Sequence, residues 1–303
     1  MWMNRWYPVL EASRLTKRRP VVVRRFGEDF VLWRGADGIV AWRDRCPHRG
    51  VSFARGSVQD GVLVCPYHGF RYDADGACTH VPCDPSRHIP PRLQLDGALS
   101  VVERHDLIWA WWGNEAPSGE PAWLPAPGTW SETSQDWPYA HERVAESFFD
   151  LHHVPFAHAS INPGFRPELL DYQVAVDGDS IRTRGAFARA SGRRVAFTID
   201  FAAPCLFRID FGPGAGVICA TPINAEHTWV WARYASPVPV VGGLIAWLGL
   251  YFDMMWVQTF EDRPLLDTQR PKHPTADSDV LVASDAGMAA YRRLLRQSER
   301  APA

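Results

Sequence analysis

The chain has 303 residues, 46% of them hydrophobic and 22% charged, and its 32 basic and 34 acidic side chains leave a net charge of −2. These figures describe a folded globular chain long enough to bury a core, and they exclude disorder, collagen and coiled coil. The near-neutral balance offers no footprint for nucleic acid, and the only lysines, Lys17 and Lys272, lie outside any GxxxxGK[ST] setting, so a Walker-type phosphate loop is excluded.

Residues 21–23, 30–33 and 39–42 are β-branched or aromatic runs separated by turn sequences at 26–29 and 35–38. With further short strands at 62–64, 99–102 and 107–112, residues 1–112 predict a small all-β domain. Residues 113–138 contain Pro117, Pro121, Pro125 and Pro127 and read as a linker. A second domain then occupies 139–303. It opens with a helix over 142–159, kinked or restarted at Pro155. Strands follow at 172–176, 180–187, 194–201, 206–211, 217–222 and 228–235. Helical character returns after about residue 243 and again at the end, where Met288, Tyr291, Leu294 and Leu295 form an apolar face. The fold class is α+β, an all-β domain followed by an antiparallel sheet with helices packed on it.

The 19 residues between Arg233 and Asp253 carry no formal charge, but Pro237, Pro239, Gly242, Gly243 and Gly249 interrupt them. A spanning helix must satisfy its own backbone, so the segment reads first as a buried helix or an apolar pocket wall and third as a surface attachment to a membrane, and membrane association is not the expectation. The N-terminus has no apolar run of signal-peptide length, which gives an expectation of a cytoplasmic protein with reduced or metal-bound cysteines. Cys78, Cys83, Cys205 and Cys219 lack partner spacing and read as small buried hydrophobes or inert thiols. The segment Gly212-Pro213-Gly214-Ala215-Gly216 fails GxGxxG and reads as a turn, and no GxSxG supports hydrolase chemistry.

Two patterns carry chemistry. Cys46-Pro47-His48 is followed after 16 residues by Cys65-Pro66-Tyr67-His68. Two cysteines and two histidines can hold one zinc, or a [2Fe–2S] cluster with thiolates on one iron and imidazoles on the other. Zinc fingers keep cysteines and histidines in separate pairs, whereas each loop here carries one of each, as the cluster requires. Gly50 and Gly69, just after the ligands, would let the two loops approach closely. Further on, Glu146, Asp150, His153 and His158 fit the spacing [E/D]-x3-D-x2-H-x4-H. Two histidines and a carboxylate on one face of a metal leave positions open for dioxygen and substrate.

The first pattern resembles the two cluster-binding loops of Rieske domains, and the second resembles the catalytic motif of Rieske non-haem iron oxygenases. The resemblance implies that residues 1–112 form a Rieske [2Fe–2S] domain with ligands Cys46, His48, Cys65 and His68. It implies a helix-grip catalytic domain in which His153 and His158 bind a mononuclear Fe(2+). Asp150 would not bind iron but would bridge by hydrogen bonds between His153 and His68 of the partner subunit, in a ring of three. Related monooxygenases carry the third ligand late, and the segment Trp256 to Leu266 resembles theirs, with Asp262 as the expected carboxylate and Glu261, Asp253 and Asp267 as rivals. His152 reads as a neighbour that packs or meets solvent, and Ser147 stands where many family members have asparagine. Electrons would come from NAD(P)H through a separate flavin reductase, with or without a ferredoxin, since the chain has no nicotinamide or flavin motif. One oxygen atom would enter a C–H bond of a small, apolar substrate, by hydroxylation or oxidative demethylation, and the other would leave as water. The chain's length resembles the vanillate and dicamba demethylases and the pheophorbide a oxygenase group more than ring-dihydroxylating subunits. Rival readings are a Rieske electron carrier without oxygenase activity, a desaturase-type reaction at the same iron, and a zinc-binding structural module.

Overall fold

The computed structural model describes residues 1–84, 88–160, 162–211, 214–275 and 278–300. The chain divides into two compact units, Asn4–Pro121, and Ala122–Ala303 with Met1–Met3.

The described residues of the smaller unit form ten strands: β1 (Arg5–Glu11), β2 (Val21–Arg25), β3 (Glu28–Arg34), β4 (Ile39–Arg43), β5 (Ser57–Gln59), β6 (Val62–Val64), β7 (Arg71–Tyr72), β8 (Cys78–His80), β9 (Val101–Arg104) and β10 (Leu107–Trp112). They form three antiparallel sheets, ordered β1-β10-β9, β2-β3-β4 and β5-β6-β7-β8. Strand β3 joins two cores. Its alternate side chains point to opposite faces, so Phe30 and Leu32 enter one apolar cluster with Val9, Leu10, Val23 and Ile108, while Val31 and Trp33 enter the other. That second cluster includes Phe53, Leu63, Phe70 and Tyr72, and both Cys46 and Cys65 belong to it. Strand β1, absent from the expectations above, lies at a sheet edge with its register shifted between Pro8 and Leu10. Proline cannot donate to a ladder and is tolerated at edges and bulges, which is why Pro8 masked the strand.

The larger unit is built on one seven-stranded antiparallel sheet, ordered β11-β17-β16-β15-β14-β13-β12. Its strands are β11 (Thr129–Trp137), β12 (Phe165–Asp177), β13 (Ser180–Arg189), β14 (Arg194–Ala202), β15 (Leu206–Phe211), β16 (Gly214–Pro222) and β17 (Thr228–Ser236). The six strands from β12 onward form a meander close to the positions expected, with β12 starting at Phe165 instead of Tyr172. Gly212 and Pro213, read above as part of a turn, lie outside the described residues, and Phe211 pairs directly with Gly214. Because β11 and β12 are opposite edges, the chain between them must cross the sheet. It does so through α1 (His141–Phe149) and α2 (Val154–Ala157). The C-terminal helix α5 (Ala286–Arg300) packs beside α1 and on β12 and β13. Phe149 of α1 makes edge contacts with Phe201 and Phe207 of the sheet, and Tyr291 of α5 meets Phe201 edge-on at a 5.4 Å centroid distance.

Three expectations need correction. Residues 129–137 are not linker but strand β11. Its sequence is polar because it is an edge, and its partner β17, buried almost throughout, supplies the ladder that specifies it. The helix over 142–159 does restart beside Pro155, but its first part stops earlier than expected. It ends at Asp150, whose ψ of 103° is extended, and restarts at Val154 with Pro155 in the first turn. A proline ring would collide with the carbonyl four residues earlier in an unbroken helix, and its missing N–H costs nothing at a helix start. The apolar segment 238–252 is not buried. Helix α3 (Gly242–Phe252) packs on β11 and β17 through Gly242, Ala246 and Leu250, and leaves Leu244, Ile245, Trp247, Leu248 and Tyr251 exposed. No helix among the described residues is long and apolar enough to cross a membrane. After α3 come a π-helix (Asp253–Asp262) and α4 (Arg263–Leu266).

Candidate metal centres

The two Cys/His loops of the smaller unit have the same internal wiring. Cys46 N–H donates to Val51 O at 2.9 Å and Gly50 N–H returns to Cys46 O at 2.7 Å; Cys65 N–H donates to Phe70 O at 2.8 Å and Gly69 N–H returns to Cys65 O at 3.0 Å. Closing each loop requires a left-handed residue, and Gly50 and Gly69 stand at φ of 72° and 70°. Conformation is therefore the main reason for glycine, and the close approach of the loops expected above is not: a Cβ on Gly50 would meet nothing nearer than Arg45 Nε at 3.7 Å, and one on Gly69 would meet Pro82 Cγ at 3.3 Å, not the other ligand loop. The loops bring the His48 and His68 rings to a centroid distance of 4.8 Å, with His48 stacked on Phe70. Both thiols are buried. Cys65, within hydrogen-bond reach of Cys46, and the Tyr72 hydroxyl, 3.4 Å from Cys46 Sγ, hold the Cys46 thiol below its ordinary range. A buried sulfur pair beside two facing imidazoles suits a mixed thiolate–imidazole cluster, and a hydroxyl directed at a ligand sulfur is a means of tuning its potential.

In the larger unit, the break at Asp150 and the single turn of α2 set the second constellation. His153 precedes that turn and His158 follows it, which brings their Nε2 atoms to 3.1 Å. The end of the π-helix supplies Asp262, whose Oδ1 lies 3.3 Å from His158 Nε2 and 3.6 Å from His153 Nε2. Ligand atoms of these three residues all fall within 4.8 Å of one another, the only such group of three or more among the described residues. Two imidazole nitrogens and one carboxylate oxygen converging on a point fit an iron(II) ion with vacant positions.

Each histidine has a carboxylate behind it. Asp150 Oδ1 stands 3.5 Å from His153 Nδ1 and accepts the His153 backbone N–H at 3.3 Å. Glu261 Oε2 lies 2.8 Å from His158 Nδ1, and its other oxygen accepts the Ser160 hydroxyl. Burial lowers the His153 imidazole, yet the contact with Asp150 outweighs it and the net direction is up. Burial raises the Asp262 carboxyl. Of the rivals for the third ligand, Glu261 thus sits behind His158, and Asp267 accepts the Tyr139 hydroxyl at 2.7 Å. Asp253 lines the same cavity as Asp262, and burial pushes its carboxyl up to about 6 against the hydrogen bonds of Tyr234 and Gln258. His152 turns away to Asp285 Oδ1 at 3.1 Å. Ser147 donates to Val144 O at 2.8 Å within its own helix. The pairing of Glu261 with His158 was not legible in the sequence, because the two residues are 103 apart in the chain and no local pattern links them. Replacing Glu261 by leucine is expected to weaken mononuclear iron binding by about 10- to 100-fold, measured by iron titration of the apoprotein, without altering the cluster's absorption.

The three converging residues open onto a cavity of about 360 Å³ whose wall surface is mainly apolar, with Phe148, Ile199, Ile209, Ile218 and Val257 beside polar residues such as Asn162 and Gln269. This size suits a small organic molecule.

One donor set suited to an electron-storing iron pair and another suited to a lone iron beside an apolar cavity are the combination that defines Rieske-type non-haem iron oxygenases. Comparison with known proteins agrees. The Rieske [2Fe-2S] domain family matches residues 5–95, and the vanillate O-demethylase oxygenase C-terminal domain family matches residues 137–301. The chain belongs to this family of Rieske oxygenases. It is 28% identical to the methylxanthine N1-demethylase NdmA of Pseudomonas putida over 98% of this chain and 89% of that protein. It is 25% identical to protein TIC 55 of Arabidopsis thaliana, over 96% of this chain, and spans only 59% of that relative's length. The structure of NdmA superposes with a TM-score of 0.76 at 26% identity, covering 98% of this chain and 90% of that one. Dicamba monooxygenase, at 19% identity, shares the fold with a TM-score of 0.78 over 98% of this chain and 97% of that one.

Proposed function

We propose that this chain is the oxygenase component of a Rieske-type monooxygenase. It would use O2 and electrons delivered from NAD(P)H by a separate reductase to hydroxylate, or oxidatively demethylate, a small and mainly apolar organic substrate. The observation that carries this reading is the convergence of His153, His158 and Asp262 on the wall of an apolar cavity, in a chain that also holds the two Cys/His loops. Demethylation is kept beside hydroxylation because NdmA is a demethylase by name.

Cys46 and Cys65 would hold one iron of the cluster, His48 and His68 the other, and His153, His158 and Asp262 the mononuclear iron. When bound, the cluster supplies single electrons and the mononuclear iron supplies oxygen activation. The remaining work falls to the protein. Asp150 and Glu261 fix the tautomer and ring orientation of the two histidines by accepting from their Nδ1 side. The isoleucines of β14, β15 and β16 keep the cavity dry, which prevents hydrolysis and proton leakage beside the iron. Asp150 would also link His153 to His68 of the partner subunit in a head-to-tail trimer.

The direct test is anaerobic purification followed by iron analysis and single turnover with O2. About three irons per chain in a red-brown protein is the expected result. Cluster absorbance without a third iron would reduce the chain to an electron carrier, and a colourless zinc protein would remove the redox reading altogether. Asp150→Asn is expected to retain both metals and to slow single-turnover electron delivery by about 10- to 100-fold; unaltered rates would exclude the bridging role.

A further inference from the structure

The winding of the π-helix decides what faces the cavity. At 3.6 residues per turn, the nine-residue step from Asp253 to Asp262 is about two and a half turns and would put the two carboxylates on opposite faces. The i→i+5 bonding of a π-helix, seen here in Arg263 N–H donating to Gln258 O, widens the turn to roughly 4.4 residues, so nine residues make about two turns. Asp253, Val257, Gln258 and Asp262 consequently all line one cavity. Met255, Trp256 and Phe260, which the same winding turns away, are exposed.

Asp253 is held in place. The Tyr234 hydroxyl hydrogen-bonds to its carboxylate, and Gln258 Nε2 approaches Oδ1 at 3.5 Å. An ionised carboxylate offers about four acceptor sites, so capacity remains for a donor inside the cavity. No described cationic side chain of the wall is free to receive an incoming anion. Apart from His153 and His158, the one basic residue lining the cavity among the described residues is Arg143. Its guanidinium is committed to Glu146 at 3.1 Å, Asp279 at 3.0 Å and Pro271 O at 2.8 Å. A carboxylate-bearing ligand would therefore exchange its hydration for neutral donors such as Asn162 and Gln269 and for no free cationic side chain, and would face Asp253 as well.

We propose, resting on the oxygenase reading above, that Asp253 is the specificity-determining residue of this cavity. It receives an N–H or O–H of an otherwise apolar ring substrate and turns away ring substrates that carry a carboxylate.

The test is equilibrium dialysis of the anaerobic holoenzyme at pH 8 with three matched probes: indole, 1-methylindole and indole-3-carboxylate. Dialysis reads binding without turnover. Indole is expected to bind about tenfold more tightly than either of the others, the size of one hydrogen bond to a charged group. Asp253→Leu should erase the preference for indole over 1-methylindole, and the near-isosteric Asp253→Asn should raise affinity for indole-3-carboxylate about tenfold. Both variants should retain the wild-type iron content and thermal midpoint. Equal binding of all three probes, binding of none, or an unchanged order in Asp253→Leu would overturn the proposal. Loss of mononuclear iron in Asp253→Asn would also overturn it, by assigning the residue to the metal. Failure of the oxygenase reading would show separately, as wild-type protein that lacks the third iron while the dialysis comparison stands.

Discussion

Anaerobically purified His153→Ala is expected to contain about two irons per chain in place of about three, with the cluster's absorption intact and substrate oxidation abolished. The expectation follows from the geometry of α2. His153 and His158 flank one helical turn, their Nε2 atoms 3.1 Å apart, and each lies within 3.6 Å of Asp262 Oδ1. Removing one of three donors leaves only His158 and Asp262, and the loss should exceed the roughly 10- to 100-fold seen when only a supporting partner is removed. The cluster should survive because its four candidate ligands sit in the other compact unit, on a core of their own. Iron analysis with visible absorption and EPR separates the two centres. Loss of both together would argue against independent sites. The same measurement on Asp262→Ala and Glu261→Ala assigns the carboxylate: iron lost from the first and weakened in the second supports Asp262, and the reverse hands the role to Glu261.

Glu146→Leu is expected to destabilise the catalytic unit by about 3–5 kcal/mol, a large share of the 5–15 kcal/mol typical of a folded domain. Glu146 is the first acidic position of the motif, yet it does not reach the metal triad. Its Oε1 accepts from Arg292 Nε at 2.6 Å and its Oε2 from Arg143 Nη1 at 3.1 Å, with side-chain exposures of 4% for Glu146, 7% for Arg292 and 8% for Arg143. The pair of buried guanidiniums joins α1 to α5, and without Glu146 Asp279 alone among the described residues would remain to balance them. Leaving buried charge uncompensated costs far more than a surface ion pair provides. Urea unfolding monitored by tryptophan fluorescence measures the effect as a shift in midpoint at constant slope, and a shift below about 1 kcal/mol would remove the network from the account.

Asp279 gives the same network a pH signature. Burial works against its charge, but hydrogen bonds from Arg143 and Arg292 hold its carboxyl down to about 2, below the ordinary 3.8. A depressed carboxylate stabilises fully above its unfolded value and loses that contribution as protons bind the folded form. The stability from Asp279 should therefore be complete above about pH 4 and disappear as pH falls through about 2, and Asp279→Asn should flatten that part of the acid-unfolding curve.

Much of the candidate site was legible because its parts are local. The Cys/His loops each lie within six residues that close on themselves through two backbone hydrogen bonds, and the spacing from Asp150 to His158 spans one helix break and one turn. The meander β12 to β17 was equally visible, since hairpin-connected strands of alternating pattern are specified by their own residues. Features that depend on a distant partner were not visible. Strand β11 is polar and became a strand only by pairing with β17, about 100 residues later.

The amino-acid sequence alone determined the two donor patterns, the antiparallel meander and the α+β class, because turn chemistry, side-chain alternation and ligand spacing act over a few bonds of chain. The tertiary structure alone decided which late carboxylate faces the histidines, that Glu261 supports His158, that α3 is exposed, and that Asp253 shares a face with Asp262. Those outcomes follow from how far a helix winds per residue and from which strand lies beside it, and neither quantity is a property of any short stretch of sequence.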